Sequence, residues 1–436
     1  MPTFSIENFG CRATEADAVA LRHAMQADGW TRTPEHAAAQ VVILNTCTVT
    51  AAADSQARDA IRKIHRANPD ARIVVTGCYA QRAPEEVAAL DGVSQVVGNS
   101  HQREIPTLLR NFFPLAQLAP APQVLVGDIF EETEVQSGAA ESLAGDATRP
   151  ILKVQDGCNN RCAYCVIPAV RGRSRSLAPA EVIAAVNQYA ASGAREVVLS
   201  GINLGSYGRD LSPRTALPEL VRRILDETAL DQLRFSSIEP QHITEDFVAL
   251  VAASNRIAPH FHVPLQSGSD TVLHKMHRWY RTAHYAERIA LIRRALPGAA
   301  IGADVIAGFP GETENDFAAT LDFIRAMPFT YLHIFSFSAR PGTEAARLDK
   351  SLPPQTIRER ARTLRALGAE KSAVFRASQA GRTFRALTLQ RSTDAWTEAL
   401  TGNYLKVRVA GRHPANQWHA VRPSTSSDEL LSSTPL

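Results

Sequence analysis

Cys158, Cys162 and Cys165 fall within eight residues at the spacing C-x3-C-x2-C. Three thiolates that close in sequence converge on one metal centre only if a tight loop wraps around it, so the loop must be anchored on a firm element. Structural zinc closes its coordination with four protein ligands, and every iron of a 4Fe-4S cube also takes a terminal ligand. Three cysteines therefore leave one metal position open, which is what a catalytic site requires. Spacing alone equally allows a zinc knuckle whose fourth ligand comes from elsewhere in the chain.

The 436 residues suffice for two or three domains with cores of their own. Charged residues make up 21% and hydrophobic ones 45%, an ordinary globular balance. The net charge of +3 is too small to identify a polyanionic partner by itself. Residues 1–11 have neither a basic leader nor an apolar stretch, so no signal peptide or lipidation of Cys11 is expected, and no window is long enough to span a membrane. The expectation is a cytoplasmic protein with no membrane partner, in which six reduced cysteines read as metal ligands or redox groups before disulfides.

The remaining cysteines are Cys11, Cys47 and Cys78. Short β-branched runs at 3–6, 40–44 and 72–75 lead to them, with helical stretches over 14–27 and 53–67 between. A fourth strand over 95–97 and a helix over 103–112 complete a parallel α/β sheet. Each cysteine then follows the carboxyl end of a strand, and in a parallel sheet all such ends share one edge, where ligands bind. That register points to a second metal site; the alternative is three unrelated cysteines buried as small hydrophobes.

From 130 to 149 the chain turns acidic and small, with Glu131, Glu132, Glu134, Glu141 and Asp146, and reads as a linker. The βα alternation then restarts, with strands over 151–155, 196–200, 233–238, 261–264, 301–307 and 331–337 and helices over 179–192, 217–228, 282–296 and 313–327. Six such units predict an open (β/α)6 sheet or part of a barrel with its chemistry at the carboxyl edge. There the cysteine loop, Gly201-Ile202-Asn203, Glu239-Pro240, Gln266-Ser267-Gly268-Ser269 and 308–312 follow successive strands. Each loop is also what simple turn chemistry would produce.

A helix over 355–378 leads into runs at 385–389, 396–400 and 404–409, read as strands of a small antiparallel barrel. Arg376, Arg382, Arg385, Arg391, Lys406, Arg408, Arg412 and Arg422 outnumber Asp394 and Glu398 and are interleaved with Trp396, Tyr404 and Trp418. That is the texture of a small nucleic-acid-binding barrel, or of a solvated basic surface. The Ser- and Thr-rich residues 424–436 are expected to be disordered. The expected division is an N-terminal domain at 1–130, a linker at 131–148, a central domain at 149–373, the barrel at 374–423 and the tail.

Taken in order, Phe9-Gly10-Cys11, Asn45-Thr46-Cys47, Thr76-Gly77-Cys78, the C-x3-C-x2-C loop, Pro264-Leu265-Gln266-Ser267-Gly268-Ser269 and Gly308-Phe309-Pro310-Gly311-Glu312-Thr313 resemble the radical S-adenosylmethionine (SAM) methylthiotransferases over nearly the whole chain. A C-terminal segment similar to a TRAM RNA-binding domain completes the likeness. Thr48-Val49-Thr50, Ala53-Asp54-Ser55, Tyr79-Ala80-Gln81 and Asp156-Gly157-Cys158-Asn159-Asn160 look most like the branch acting on N6-threonylcarbamoyladenosine at position 37 in the anticodon stem-loop of tRNA. Other branches modify isopentenyladenosine or a ribosomal-protein aspartate. The sequence departs from the family at Thr14, where members usually carry Asn, and in a barrel that looks short beyond Val409.

The resemblance implies two 4Fe-4S clusters. Cys158, Cys162 and Cys165 would hold the one whose open iron binds SAM and cleaves it to a 5'-deoxyadenosyl radical. Cys11, Cys47 and Cys78 would hold the one that presents sulfur, with a second SAM as methyl donor. Tyr164, Gly201, Asn203, Gln266 and Gly308 would shape the SAM pocket, and Tyr404, Lys406 and Arg408 would meet RNA. An electron-donor protein and a sulfur source are implied as partners. Both clusters must face one base, so the first sheet's edge should pack over the mouth of the central domain. The competing class is a non-catalytic zinc protein that binds RNA.

Overall fold

The computed structural model describes residues 2–112, 122–136 and 148–424, together with the backbone of 431–435. The N-terminal sheet comprises β1 (Thr3–Asn8), β2 (Thr31–Arg32), β3 (Val41–Thr46), β4 (Arg72–Gly77), β5 (Val93–Val97) and β6 (Gln123–Leu125), all parallel, in the order β2-β1-β3-β4-β5-β6. Every residue of β3 is buried, because helices cover both faces of the sheet. Val42, Leu44, Ile73 and Val75 pack on Ala57, Ile61 and Ile64 of the helix Ala51–Ala67. Val41, Ile43 and Val74 face Leu21 and Met25 of the helix Arg12–Ala27, with Ile105 and Leu109 beside them. The helix Ala51–Ala67 starts where it does because the Thr50 side chain caps the Ala53 N–H at 3.2 Å.

The central domain adds β7 (Ile151–Asp156), β8 (Arg175–Ser176), β9 (Glu196–Gly201), β10 (Gln232–Phe235), β11 (His260–His262), β12 (Ala300–Ala307) and β13 (Tyr331–Ser336). They form the sheets β10-β9-β7-β8 and β11-β12-β13, joined by parallel bridges Leu233 to Ile257 and Ser237 to His262. Six parallel strands thus run in the order β7-β9-β10-β11-β12-β13 over one continuous apolar core, the expected open barrel, with the two-residue β8 as an unanticipated antiparallel edge.

The expected linker is in part a fixed strap. Glu134 O accepts from Arg175 Nε at 2.7 Å, and Glu132 pairs with Arg103 at 2.6 Å. Glu141 and Asp146 lie outside the described residues.

β14 (Phe384–Ser392), β15 (Trp396–Thr401), β16 (Lys406–Ala410), β17 (Trp418–Pro423) and β18 (Leu431–Pro435) close a barrel in the order β14-β15-β16-β18-β17. One expectation is corrected. The segment taken for a disordered tail supplies β18, which fills the gap between β16 and β17; Ser and Thr satisfy a ladder as readily as a coil, and composition does not separate the two. Residues 425–430 lie outside the described ones. The barrel is antiparallel, as expected, at every pair but β16 and β18, which run parallel, and the closing strands supply what seemed missing beyond Val409.

Candidate active site between two cysteine triads

The first triad leaves the end of β7. Gly157 adopts φ +67°, and a Cβ there would collide with the Arg173 carbonyl, so only glycine permits the fold-back. Backbone bonds then fix the loop at three points: Cys158 N to Gly172 O at 3.1 Å, Ala163 N to Met276 O at 3.1 Å, and Cys165 N to Cys162 O at 3.0 Å. All three cysteines are free and half-buried. Burial, then the neighbouring Cys162, pushes the Cys165 thiol up to about 12, and burial also raises Cys158. Such thiols give up their protons to a metal, not to water at neutral pH.

The second triad assembles as the sheet register requires. Gly10, at φ +117°, lies where a side chain would run into Cys47. Burial, then the nearby Cys78 and Cys11, raises Cys47 to about 12; burial also raises Cys78, while Arg171 opposes it. Asn99 Nδ2 approaches Cys78 Sγ at 3.6 Å and donates to Val170 O at 2.7 Å. Thr14, which stands where the family usually carries Asn, holds the turn that presents Gly10 and Cys11. Its hydroxyl donates to Cys11 O at 2.7 Å and lies 3.2 Å from Phe9 O.

Sulfur spacing bears on which metal fits. Among the described residues, the group of three His, Cys, Asp or Glu ligand atoms lying mutually within 4.8 Å is His262, Asp304 and His333; neither cysteine triad is so tight. One tetrahedral zinc with bonds of about 2.3 Å would draw its sulfurs to about 3.8 Å apart. A cube holds its terminal sulfurs further apart, so the donor sets fit clusters better than single ions.

A cavity of about 190 Å³ lies against Cys165 and the residues that follow Cys47. Val49 and Thr50, just past Cys47, form one wall; Tyr164 to Ile167 form the next, and Gln266, Asp304, Ile306 and Phe335 to Ser338 the third. The first domain thus packs over the mouth of the second. Arg340 of the central domain pairs with the buried Asp54 and reaches Thr48 Oγ1 at 3.1 Å.

Of the candidate SAM-pocket residues, Tyr164 and Gln266 line this cavity. Asn203 is 7% exposed and bonds through its N–H to Gln155 Oε1 at 2.7 Å, while the Cys158 sulfur accepts from the backbone N–H of Asn160 at 3.4 Å. Gly201 and Gly308 are explained by packing, the first against Gln155 and the second against Ile357.

Residues 3–98 match a family described only as uncharacterized protein family UPF0004, and residues 152–324 match the radical SAM superfamily. The chain is 37% identical over 407 residues to the threonylcarbamoyladenosine tRNA methylthiotransferase MtaB of Aquifex aeolicus, covering 93% of this chain and 96% of that one. It belongs to the radical SAM methylthiotransferase family. The tRNA-2-methylthio-N(6)-dimethylallyladenosine synthase of Acidothermus cellulolyticus is 34% identical, over 95% of this chain and 82% of its own. Among solved structures, the radical SAM methyltransferase TsrM of Kitasatospora setae superposes with a TM-score of 0.58 at 17% identity, over 79% of this chain and 77% of that one, a likeness of fold.

The methylthiotransferase is accordingly a transferase of radical SAM type, and no helix among its described residues is long and apolar enough to cross a membrane. Its expected RNA-facing residues divide. Tyr404 is turned inward: its ring stacks on His260 at 4.1 Å, and Arg12 Nη2 lies 3.4 Å from its hydroxyl. Trp418 likewise docks, donating from Nε1 to Asp231 Oδ2 at 2.9 Å under Arg385. Lys406 is exposed beside Glu398, and the Arg408 guanidinium covers Trp396 at 4.8 Å. Aromatic and basic composition alone does not separate docking residues from outward ones.

Three polar residues next to the sulfurs carry little or no signal in the sequence. Arg278 Nη1 donates to Cys162 Sγ at 3.2 Å while its other arm pairs with Glu239. Asn99 reaches Cys78, and Arg171 is buried between the domains facing Cys78. Arg171 follows the cysteine loop by six residues, a signal of sorts; Arg278 and Asn99 had none.

Proposed function

We propose that this methylthiotransferase replaces the hydrogen at C2 of N6-threonylcarbamoyladenosine, at position 37 of tRNA, with a methylthio group. Cys158, Cys162 and Cys165 would hold one 4Fe-4S cluster and Cys11, Cys47 and Cys78 the other. The observation that carries the reading is the shared cavity, walled on one side by the residues after Cys47 and on another by the loop of Cys165. The aromatic C2–H has no leaving group, so acid-base chemistry cannot exchange it. When bound, the clusters and SAM supply hydrogen abstraction, sulfur and methyl group. The chain's own residues supply position and enclosure. Val166, Ile167, Ile306 and Phe337 keep the cavity wall apolar, which excludes water from reactive species. Arg278, held by Glu239 and by Tyr280 at 3.2 Å, donates to the Cys162 sulfur, and the backbone N–H of Asn160 to that of Cys158 at 3.4 Å.

In this reading residues 1–130, 149–373 and 374–423 with β18 are the sulfur-donating, radical and RNA-binding domains, working in the cytoplasm with an electron-donor protein and a sulfur source. Lys406 and Arg408 are retained as RNA contacts, whereas Tyr404 is assigned to docking. Threonylcarbamoyladenosine is preferred to dimethylallyladenosine on the motif likeness and on relatives of that name in Aquifex aeolicus and Bacillus subtilis. The test is turnover by anaerobically reconstituted enzyme on tRNA bearing either nucleoside. Methylthiolation of the threonylcarbamoyl substrate is expected; product only from the dimethylallyl substrate would reassign the enzyme.

A further inference from the structure

Beside the cavity, three neighbouring strands each contribute one metal-ligating side chain: the buried His262 from β11, the partly buried Asp304 from β12 and the exposed His333 from β13. Asp304 pairs directly with His333 across the ladder, and His262 pairs with Gly302, two residues before Asp304 and so on the same face. Asp304 Oδ1 lies 3.0 Å from His262 Nε2 and 3.3 Å from His333 Nδ1, and the three ligand atoms fall mutually within 4.8 Å. Ligands about 2.0–2.1 Å from a tetrahedral zinc stand about 3.3 Å apart.

His262 is only 7% exposed, and although Asp304 is near, its Nε2 has no aligned hydrogen-bond partner. Its other nitrogen, Nδ1, is held by Tyr331 Oη at 3.1 Å, and that hydroxyl also meets His260 Nε2 at 2.8 Å. An imidazole fixed through Nδ1, with Nε2 aimed at the same point as a neighbouring carboxylate oxygen, is how a metal-ligating histidine is oriented. Tyr331 can lie there because Gly302 has no side chain: a Cβ at Gly302 would overlap the phenol ring. The Tyr404 ring, from the C-terminal barrel, closes the floor against His260.

We propose that His262, Asp304 and His333 bind a single divalent cation of the zinc class, with a coordination position open toward the cavity. Asp304 itself lines that cavity, and none of the lining residues is Lys or Arg. A cation there supplies the missing positive charge, and its open position takes an oxygen donor such as a carboxylate. That role, unlike the metal site, rests on the threonylcarbamoyl substrate proposed above, whose N6 substituent carries a carboxylate.

The test uses zinc itself and cluster-loaded protein. Anaerobically purified enzyme is chelator-washed, incubated with Zn(II) and desalted, and zinc and iron are measured on the same sample. One zinc per chain is expected in addition to iron, with affinity falling at least about 10-fold in His333→Ala while iron content stays constant. His333→Asp, which restores an oxygen ligand, should bind more tightly than the equally sized His333→Asn, and this pair decides the matter if the alanine variant loses iron. No zinc above the iron-bearing baseline, or equal affinity in wild type and these variants, overturns the site. Zinc binding that leaves affinity for threonylcarbamoyl-tRNA unchanged retains the site and overturns the substrate role alone.

Discussion

Asp17→Asn tests how the two triads are held face to face. Asp17, on the helix Arg12–Ala27, is 1% exposed and pairs with Lys153 of β7 and, at 2.7 Å, with Arg171 beside the cysteine loop. Both cations also bind Asp156, Lys153 at 2.7 Å and Arg171 at 3.1 Å, and Arg175 adds a third positive charge at 3.6 Å. Two carboxylates therefore serve three buried or nearly buried cations. Removing one carboxylate charge leaves Lys153, Arg171 and Arg175 to share Asp156 alone, without water to solvate the excess positive charge, and breaking a buried pair in this way costs about 3–5 kcal/mol. Against a total stability of about 5–15 kcal/mol, the loss should lower the midpoint of thermal unfolding by about 10 °C. Chemical denaturation of wild type, Asp17→Asn, Lys153→Met and the double variant measures the coupling. The double variant should recover a large part of the loss, because it removes the excess positive charge. Since Arg171 faces Cys78, iron retained by the second triad should fall with the single substitution. An Asp17→Asn protein within about 0.5 kcal/mol of wild type would refute the reasoning, since that is the range of ordinary surface substitutions.

Other outcomes follow from the same geometry. Cys158→Ala should abolish SAM cleavage, whereas Cys47→Ala should keep cleavage and lose sulfur transfer; equal loss of cleavage in both would end that division of labour. Replacing Lys406 and Arg408 together should weaken tRNA binding and flatten its salt dependence by roughly one unit of slope for each phosphate no longer neutralised, and an unchanged slope would remove this face from the RNA surface. Glu196 is opposed by burial, but Arg234 and then Arg149 outweigh it and hold its carboxyl below the ordinary range, while Arg234 also binds Thr401 O and Gly402 O of the barrel. A depressed folded pKa stabilises in full above the unfolded value of about 4.3, and the contribution is lost progressively as pH falls from there through the lower folded value. Glu196→Gln should therefore be less stable than wild type at pH 7, with the gap narrowing below about pH 4; a pH-independent gap would contradict this.

Much of the site was legible because it rests on period and register. Cys11, Cys47 and Cys78 follow parallel strands, and a parallel sheet puts all such ends on one edge, so their meeting needed no tertiary information. Helix limits fell within a few residues of the expected ranges, as at Thr313, where the side chain accepts from Asp316 N at 3.1 Å and caps the helix. What escaped depends on partners remote in sequence. β18 has a tail's composition and becomes a strand only because β16 and β17 leave it a place. Tyr404 and Trp418 look like RNA contacts until His260 and Asp231 are seen beneath them. The group His262, Asp304 and His333 is scattered along the chain and exists only as a register of three strands.

The central claim concerns the modified nucleoside, and mass spectrometry of tRNA nucleosides from a strain lacking this gene tests it most directly. The account expects 2-methylthio-N6-threonylcarbamoyladenosine to vanish, with N6-threonylcarbamoyladenosine accumulating in its place and the signal restored by wild type but not by Cys158→Ala. A full complement of that nucleoside in the deletion strain, with the methylthio group missing from dimethylallyladenosine instead, would contradict it.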